Sequence, residues 1–356
     1  MKLPFSKKKI EGELQSTDIA LKEVEGLSQG QLVRRRFFRH RGAVISMTVL
    51  GLLILFVFSA LNTKIGPFQY HGWWHYGIDD QPELNTLGCS QYLTGCPTLH
   101  WKPSFLGGKH FGLGDHPFGQ DDIGRDYFAL TLRGAQRSLI VVFFVGLIAA
   151  IIGTVIGAVA GFYGKKVETA LMRLTDFIMV IPVLVLGSVI GFHFGNKGVV
   201  VLAIMLGLFS WTGLARLVRG EFLKLRSQDF VDAARVAGAS NRRIIFKHIL
   251  PNTVGVIIVS VTLLMAGAIL LESALSYIGF GVVSPDTSLG LLISTYQDSF
   301  STRPWLFWWP GLFIIVIALC INFIGDGLRD AFDPRQRRRL SRKDKLNAKT
   351  GTKVKA

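Results

Sequence analysis

The stretch Asp229-Phe230-Val231-Asp232-Ala233-Ala234-Arg235-Val236-Ala237-Gly238-Ala239-Ser240-Asn241-Arg242-Arg243-Ile244-Ile245-Phe246-Lys247-His248-Ile249-Leu250-Pro251-Asn252 lies between two long apolar runs. It is too long to be a simple turn. Asp229 can cap a first helical turn, with the Asp232 carboxylate at N3 reaching back as in a capping box. Ala233, Ala234 and Ala237 are strong helix formers that keep this helix slim, and Gly238 suits the left-handed position that ends it. Ser240 then caps a second short helix, which Pro251 closes as the next apolar run begins. Two short helices with a small-residue face make either a knob that docks into a groove on another protein or a plain amphipathic connector on the membrane. The residues alone leave both open.

Working outward, a bilayer-spanning helix needs about 20 mostly apolar residues. Six stretches free of Lys, Arg, Asp and Glu qualify: 43–61, 138–164, 177–196, 198–215, 249–271 and 304–325. The chain therefore reads as an all-α membrane protein with six transmembrane helices. That agrees with its 49% hydrophobic and 18% charged residues over 356, against roughly 25% charged in soluble domains. Of 40 Lys and Arg, 32 fall in the first 42 residues, in 165–173, in 216–247 or from Arg329 onward. Positive residues are retained on the cytoplasmic side of short loops, so both termini and the 229–252 connection are expected there. The net charge of +16 thus records orientation, with the basic tail facing membrane lipid, and nucleic acid is not an expected partner.

The expected organisation is a basic cytoplasmic segment over 1–42, an uncleaved anchor helix over 43–61, and an extracytoplasmic loop over 62–132. A five-helix core follows over 133–328, with its short helices at 227–250, and then a basic tail over 329–356. The outer loop is rich in Trp73, Trp74, Tyr70 and Tyr76, which favour the headgroup level. Cys89 and Cys96 lie in it, on the side where disulfides persist; they read as a pair closing a short loop, the alternative being two free thiols. Its five histidines, His71, His75, His100, His110 and His116, have no metal-ligand spacing, so no metal site is expected. Gly153, Gly157 and Gly161 lie four apart on one helix face, which suits close packing between spans. Residues 273–285 are apolar but Gly-broken and too short to cross, as in a re-entrant segment at the outer mouth. No G-x-x-x-x-G-K-[ST] phosphate loop and no nucleophile-base arrangement occurs, so neither ATP binding nor catalysis is expected of this chain.

The helix-pair stretch resembles the EAA motif of ABC importer permeases. In that motif a carboxylate, two alanines, a glycine four residues on and a later Leu-Pro form the coupling helix that contacts the ATPase. The matching positions are Asp232, Ala233, Ala234, Gly238 with Ala239 after it, Leu250 and Pro251, with Asp where Glu is usual. The likeness is closest to the oligopeptide/dipeptide branch. Phe118-Gly119-Gln120-Asp121-Asp122-Ile123-Gly124-Arg125-Asp126 looks like that branch's signature, with Gln120 where Thr is usual; Arg173, Asp176, Glu272, Asn322 and Asp326 continue it. Arg173 beside Asp176, and Arg329 beside Asp326, read as structural pairs.

The resemblance implies a multi-pass protein of a prokaryotic cytoplasmic membrane with the type I ABC importer permease fold. It further implies a homologous second permease subunit, two cytoplasmic ATPase subunits that hold the ATP and magnesium, and an extracytoplasmic solute-binding protein. The expected substrate is a peptide. Nickel or another small solute is the alternative within the same complex type, and a stand-alone channel or secondary transporter the alternative of a different class.

Overall fold

A computed structural model describes residues 29–65, 68–85, 94–99 and 114–333. Among these the regular structure is helical apart from one small antiparallel hairpin, β1 (Thr63–Ile65) and β2 (Phe68–Tyr70), in which Lys64 is paired with Gln69. Helix α1 (Gln29–Arg39) precedes α2 (Arg41–Ala60), whose first turn is capped by His40, with Nδ1 accepting from the Ala43 N–H at 3.0 Å. There follow α3 (Tyr127–Tyr163), α4 (Lys165–Val180), α5 (Val183–Phe194), α6 (Val199–Gly207) and α7 (Thr212–Arg226). The short α8 (Asp229–Val236), the long α9 (Asn241–Tyr277), the short α10 (Leu289–Tyr296) and α11 (Trp305–Phe332) complete the order.

Among the described residues, five helical stretches are long and apolar enough to cross a membrane: α2, α3, the α6–α7 stretch Val199–Arg226, α9 and α11. The count reaches six only if α4 and α5, bent by 81° where they meet, form one span. This corrects the expected continuous span over 177–196. Pro182 lacks an N–H and forces Ile181 into extended backbone (φ −74°, ψ 122°), so Phe177 to Val180 belong to the preceding helix.

The second span also departs from expectation. Asp126 caps α3 through the Ala129 N–H at 2.9 Å, so the helix starts eleven residues before the apolar run at Ser138, and the outer loop ends at 126 rather than 132. Arg133 and Arg137, which interrupt the apolar pattern, are carried on this extension and held by Asp286, at 3.6 and 2.8 Å. Beyond α9, the backbone stays helical to Tyr277 and then turns into α10, so the Gly-broken segment expected over 273–285 is shorter at its start and runs into a helix that the pattern did not reveal.

Helix α3 forms the central column. Its Gly157 and Gly161 let α7 approach so closely that a Cβ at either would lie 2.5 Å from Ala215 O or Phe222 Cβ. The main core surrounds α3 with Leu202, Ile269, Leu275, Leu289, Leu306 and Ile317 from α6, α9, α10 and α11. A second, separate cluster at the opposite end joins Phe162, Leu214 and Phe222 to Val231, Ile244 and Ile249, which seats α8 on the bundle.

Candidate functional site

Helix α8 is an eight-residue rod pinned by one side. Val231 is wholly buried and Ala234 half-buried, whereas Asp232, Ala233, Val236, Ala237 and Gly238 face outward, Val236 with 91% of its surface exposed. The N-cap is Gln228 and makes no side-chain cap bond, so Asp229 does not cap the helix as expected; it stands in the first turn, where its charge complements the helix dipole. Asp232 does not reach back either, because Arg235 Nη1 donates to it at 3.0 Å from the next turn. The helix end is as expected. Gly238 has φ +78°, its N–H donates to Arg235 O at 2.9 Å and the Ala239 N–H to Ala234 O at 3.0 Å, the double closure of a Schellman motif.

Ser240 caps the next helix, its Oγ accepting from the Arg243 N–H at 3.4 Å. Pro251 does not close that helix, contrary to expectation. Residues Ile244–Ile249 form a π-helical stretch in which the Leu250 N–H reaches Ile245 O, and the helix runs on through Leu250 and Pro251 into the span. The wider turn removes the demand for an i→i−4 bond at the proline nitrogen. The outcome is a rigid elbow between two spans whose outer face carries Val236 and, 65% exposed, Phe246. Phe246 stands on the helix that runs unbroken into the span, while Val236 stands on α8, which the turn over 237–240 joins to it.

The signature before α3 is a second built site at the other end of the bundle. Asp126, fully buried, accepts from Trp74 Nε1 at 2.8 Å and pairs with His116 Nδ1 at 3.0 Å in addition to capping α3. Asp121, also fully buried, accepts from the Ile123 and Arg125 N–H groups, Arg125 Nε at 2.7 Å and the Tyr296 hydroxyl at 2.8 Å. Burial beside the Asp121 charge pushes the Tyr296 phenol well up, which keeps it a neutral donor. Gln120 accepts from the Asn85 N–H and donates to Glu83 O and Gly124 O. Gly119 and Gly124 both have positive φ, and a Cβ at Gly119 would strike Gly95 O at 2.7 Å. Phe118 stacks on Trp309 with ring centroids 3.8 Å apart. These residues staple the loop that precedes α3 onto α3, α10 and α11, a scaffolding role.

The remaining signature residues are dispersed. Glu272, fully buried in α9, accepts from Ser138 Oγ at 2.7 Å and Ser276 Oγ at 2.8 Å. Asp176 pairs with Arg216 of α7 at 2.5 Å and not with Arg173, which makes no ion pair among the described residues; an i,i+3 pairing loses here to the guanidinium that α7 presents. Nor do Asp326 and Arg329 pair among those residues; the neighbouring Asp330 lies 3.7 Å from His40 Nε2. Asn322 Nδ2 donates within its own helix to Ala318 O at 3.0 Å. Cys96 is buried, while Cys89, His100 and His110 lie outside the described residues. Among the described residues no three of His, Cys, Asp and Glu gather as a metal site would require. Trp74, expected at the headgroup level, is instead buried and donates to Asp126, and Tyr296 and the Arg133–Arg137–Asp286 cluster, which sequence reasoning missed, act across long separations that no local pattern encodes.

The family described as binding-protein-dependent transport system inner membrane component matches residues 153–338, and the one described as the N-terminal TM domain of oligopeptide transport permease C matches 28–82. The oligopeptide transport system permease protein OppC of Haemophilus influenzae is 36% identical over 315 residues, 88% of this chain and 91% of that protein. That of Mycobacterium bovis is 35% identical over 314 residues, 88% of this chain and 97% of that protein. A chain of the inward-facing MetNI methionine ABC transporter is similar with a TM-score of 0.49 and 18% identity, over 57% of this chain and 96% of that one. The matched region runs from the glycine face of α3 through the α8 elbow to the end of α11, and this chain belongs to the family of binding-protein-dependent transport system inner membrane components.

Proposed function

We propose that this chain is a permease subunit of an ATP-driven importer that carries peptides across the cytoplasmic membrane. The observation that carries the mechanical part is the elbow, in which α8, with Val236 exposed, is joined by the short turn over 237–240 to α9, whose first turns carry the exposed Phe246 and run on into a span. In this reading both termini and α8 are cytoplasmic, and the residues of the coupling contact are Asp232, Ala233, Ala234, Gly238 and Ala239, with Leu250 and Pro251 leading into the span. Two cytoplasmic ATPase subunits bind the nucleotide and magnesium; this chain binds no cofactor. Their closure moves α8, and α9 with it, against a homologous second permease subunit. The strongly exposed apolar face of α4 and α5, with Phe177, Val180 and Phe192, is the surface offered to that subunit and to lipid. An extracytoplasmic solute-binding protein delivers the substrate to the loop-covered outer face, where Cys89 and Cys96 close a disulfide loop.

The similarity to oligopeptide permeases supports peptides over nickel. Uptake of a labelled oligopeptide by cells with and without this chain tests the substrate. Loss of peptide uptake with nickel uptake intact is expected; the converse overturns the peptide assignment.

A further inference from the structure

Between α1, α9 and α11, at the end of the bundle where the basic residues gather, lies an open cleft of about 1010 Å³. Leu32, Val33, Phe38, Val254, Ile258 and Phe332 contribute to its walls and Arg34 and Arg36 to its rim. Helix α1 is held against α2 and α11 towards its C-terminal end. Phe37 is buried against Ala43 and Ala331, and Arg36 Nη1 donates to Ala331 O at 3.4 Å and Asp333 O at 3.3 Å. Water filling this cleft would meet mostly apolar walls that offer it few hydrogen bonds.

The two charged residues that line the cleft, Arg34 and Arg36, are both basic, with Asp330 and Asp333 flanking its lining residues Ala331 and Phe332. Arg34, Arg35 and Arg39 are exposed, and none makes an ion pair among the described residues. Apolar walls opening between two membrane spans, beside the Arg34 guanidinium, which makes no ion pair among the described residues, complement one kind of molecule: hydrocarbon chains joined to an anionic head.

We propose that this cleft is a binding site for an anionic phospholipid, its acyl chain along Val254, Ile258 and Phe332 and its phosphate on Arg34 with Arg36. Pro251 and Asn252, at the start of the span above the elbow, also line the cleft, so the bound lipid fills the joint between α1 and the root of α9. The site rests on the membrane location of the chain and not on the identity of the transported solute.

The test is native mass spectrometry of the purified full-length chain after delipidation, with added phosphatidylglycerol or phosphatidylcholine of identical acyl chains. Preferential retention of phosphatidylglycerol is expected. Arg34→Gln should lower that retention about fivefold and leave phosphatidylcholine unchanged. Val254→Trp, which fills the cleft, should remove both lipids, and Leu32→Asp on the opposite wall repeats the test should the tryptophan variant misfold. Equal retention of the two lipids, phosphatidylglycerol retention indifferent to these variants, or inorganic phosphate bound as well as the lipid would each overturn the proposal.

Discussion

Ser138 Oγ donates to Glu272 Oε2 at 2.7 Å, joining α3 to α9 across 134 residues of sequence within a fully buried site. Ser276 Oγ donates to the other carboxylate oxygen, and the Val282 and Leu289 N–H groups lean on the same two hydroxyls at 3.2 and 3.4 Å. One carboxylate therefore organises two spans and the turn that leads into α10. Glu272→Ala strands both hydroxyls and opens a void, a loss of about 2–4 kcal/mol. Glu272→Gln keeps the volume and one acceptor. Thermal unfolding of the detergent-solubilised protein should rank wild type above Gln above Ala; equal melting temperatures would remove the linchpin role.

Gly238 offers a cleaner separation of backbone from packing. No heavy atom lies within 4 Å of where its Cβ would be, yet φ is +78°. Gly238→Ala therefore costs about 1–2 kcal/mol of local conformational strain without a clash, whereas Gly238→Asn, which tolerates the left-handed region, costs less. Transport should fall with Ala and recover with Asn while both variants keep wild-type melting of the bundle. Identical transport by the two would mean that the helix end does not matter.

Asp126 does three jobs at one position, capping α3 and accepting from Trp74 and His116. Asp126→Ala removes the cap and leaves two buried donors unmet, together about 2–4 kcal/mol, while Asp126→Asn retains an acceptor for the cap. Limited proteolysis of the outer loop reports the difference: faster cleavage is expected for Ala, with Asn intermediate.

Tyr296 should make stability depend on alkaline pH. Its phenol is raised in the folded protein, so at neutral pH both folded and unfolded forms are protonated and the contribution is intact. Above a pH of about 10 the unfolded chain ionises first, and stability is lost as pH climbs toward the folded value. Tyr296→Phe, less stable at pH 7 because Asp121 loses a donor, should show a shallower fall between about pH 9.5 and 11 than wild type. Parallel curves would contradict the coupling.

The amount of structure legible in the sequence followed the range of the interactions that make it. Gly238 and Ser240 announced their roles because a helix end is decided within five residues. The apolar runs located α2, α9 and α11 for the same reason, with hydrocarbon thickness setting their length. Arg133 and Arg137 hid the first turns of α3, since their partner Asp286 is about 150 residues away and nothing local says that their charge is met. The break at Pro182 was missed because an uninterrupted apolar run outweighed one proline. At Asp176 the nearby Arg173 was the obvious partner, and only the packing of α4 beside α7 supplied Arg216 instead. The α8 motif was readable as a helix pair from its residues, but the exposure of Val236 and the unbroken run of the second helix into the span are properties of the folded bundle.

The central claim is that α8 couples this membrane chain to a separate ATPase. Affinity purification of the full-length chain from its own membranes, wild type beside Gly238→Asp, tests it most directly. The account expects an ATPase to co-purify with the wild type in stoichiometric amount and to be lost or sharply reduced with Gly238→Asp, while the variant still enters the membrane. Recovery of no ATPase with the wild type, or undiminished recovery together with intact peptide uptake in the variant, would contradict it.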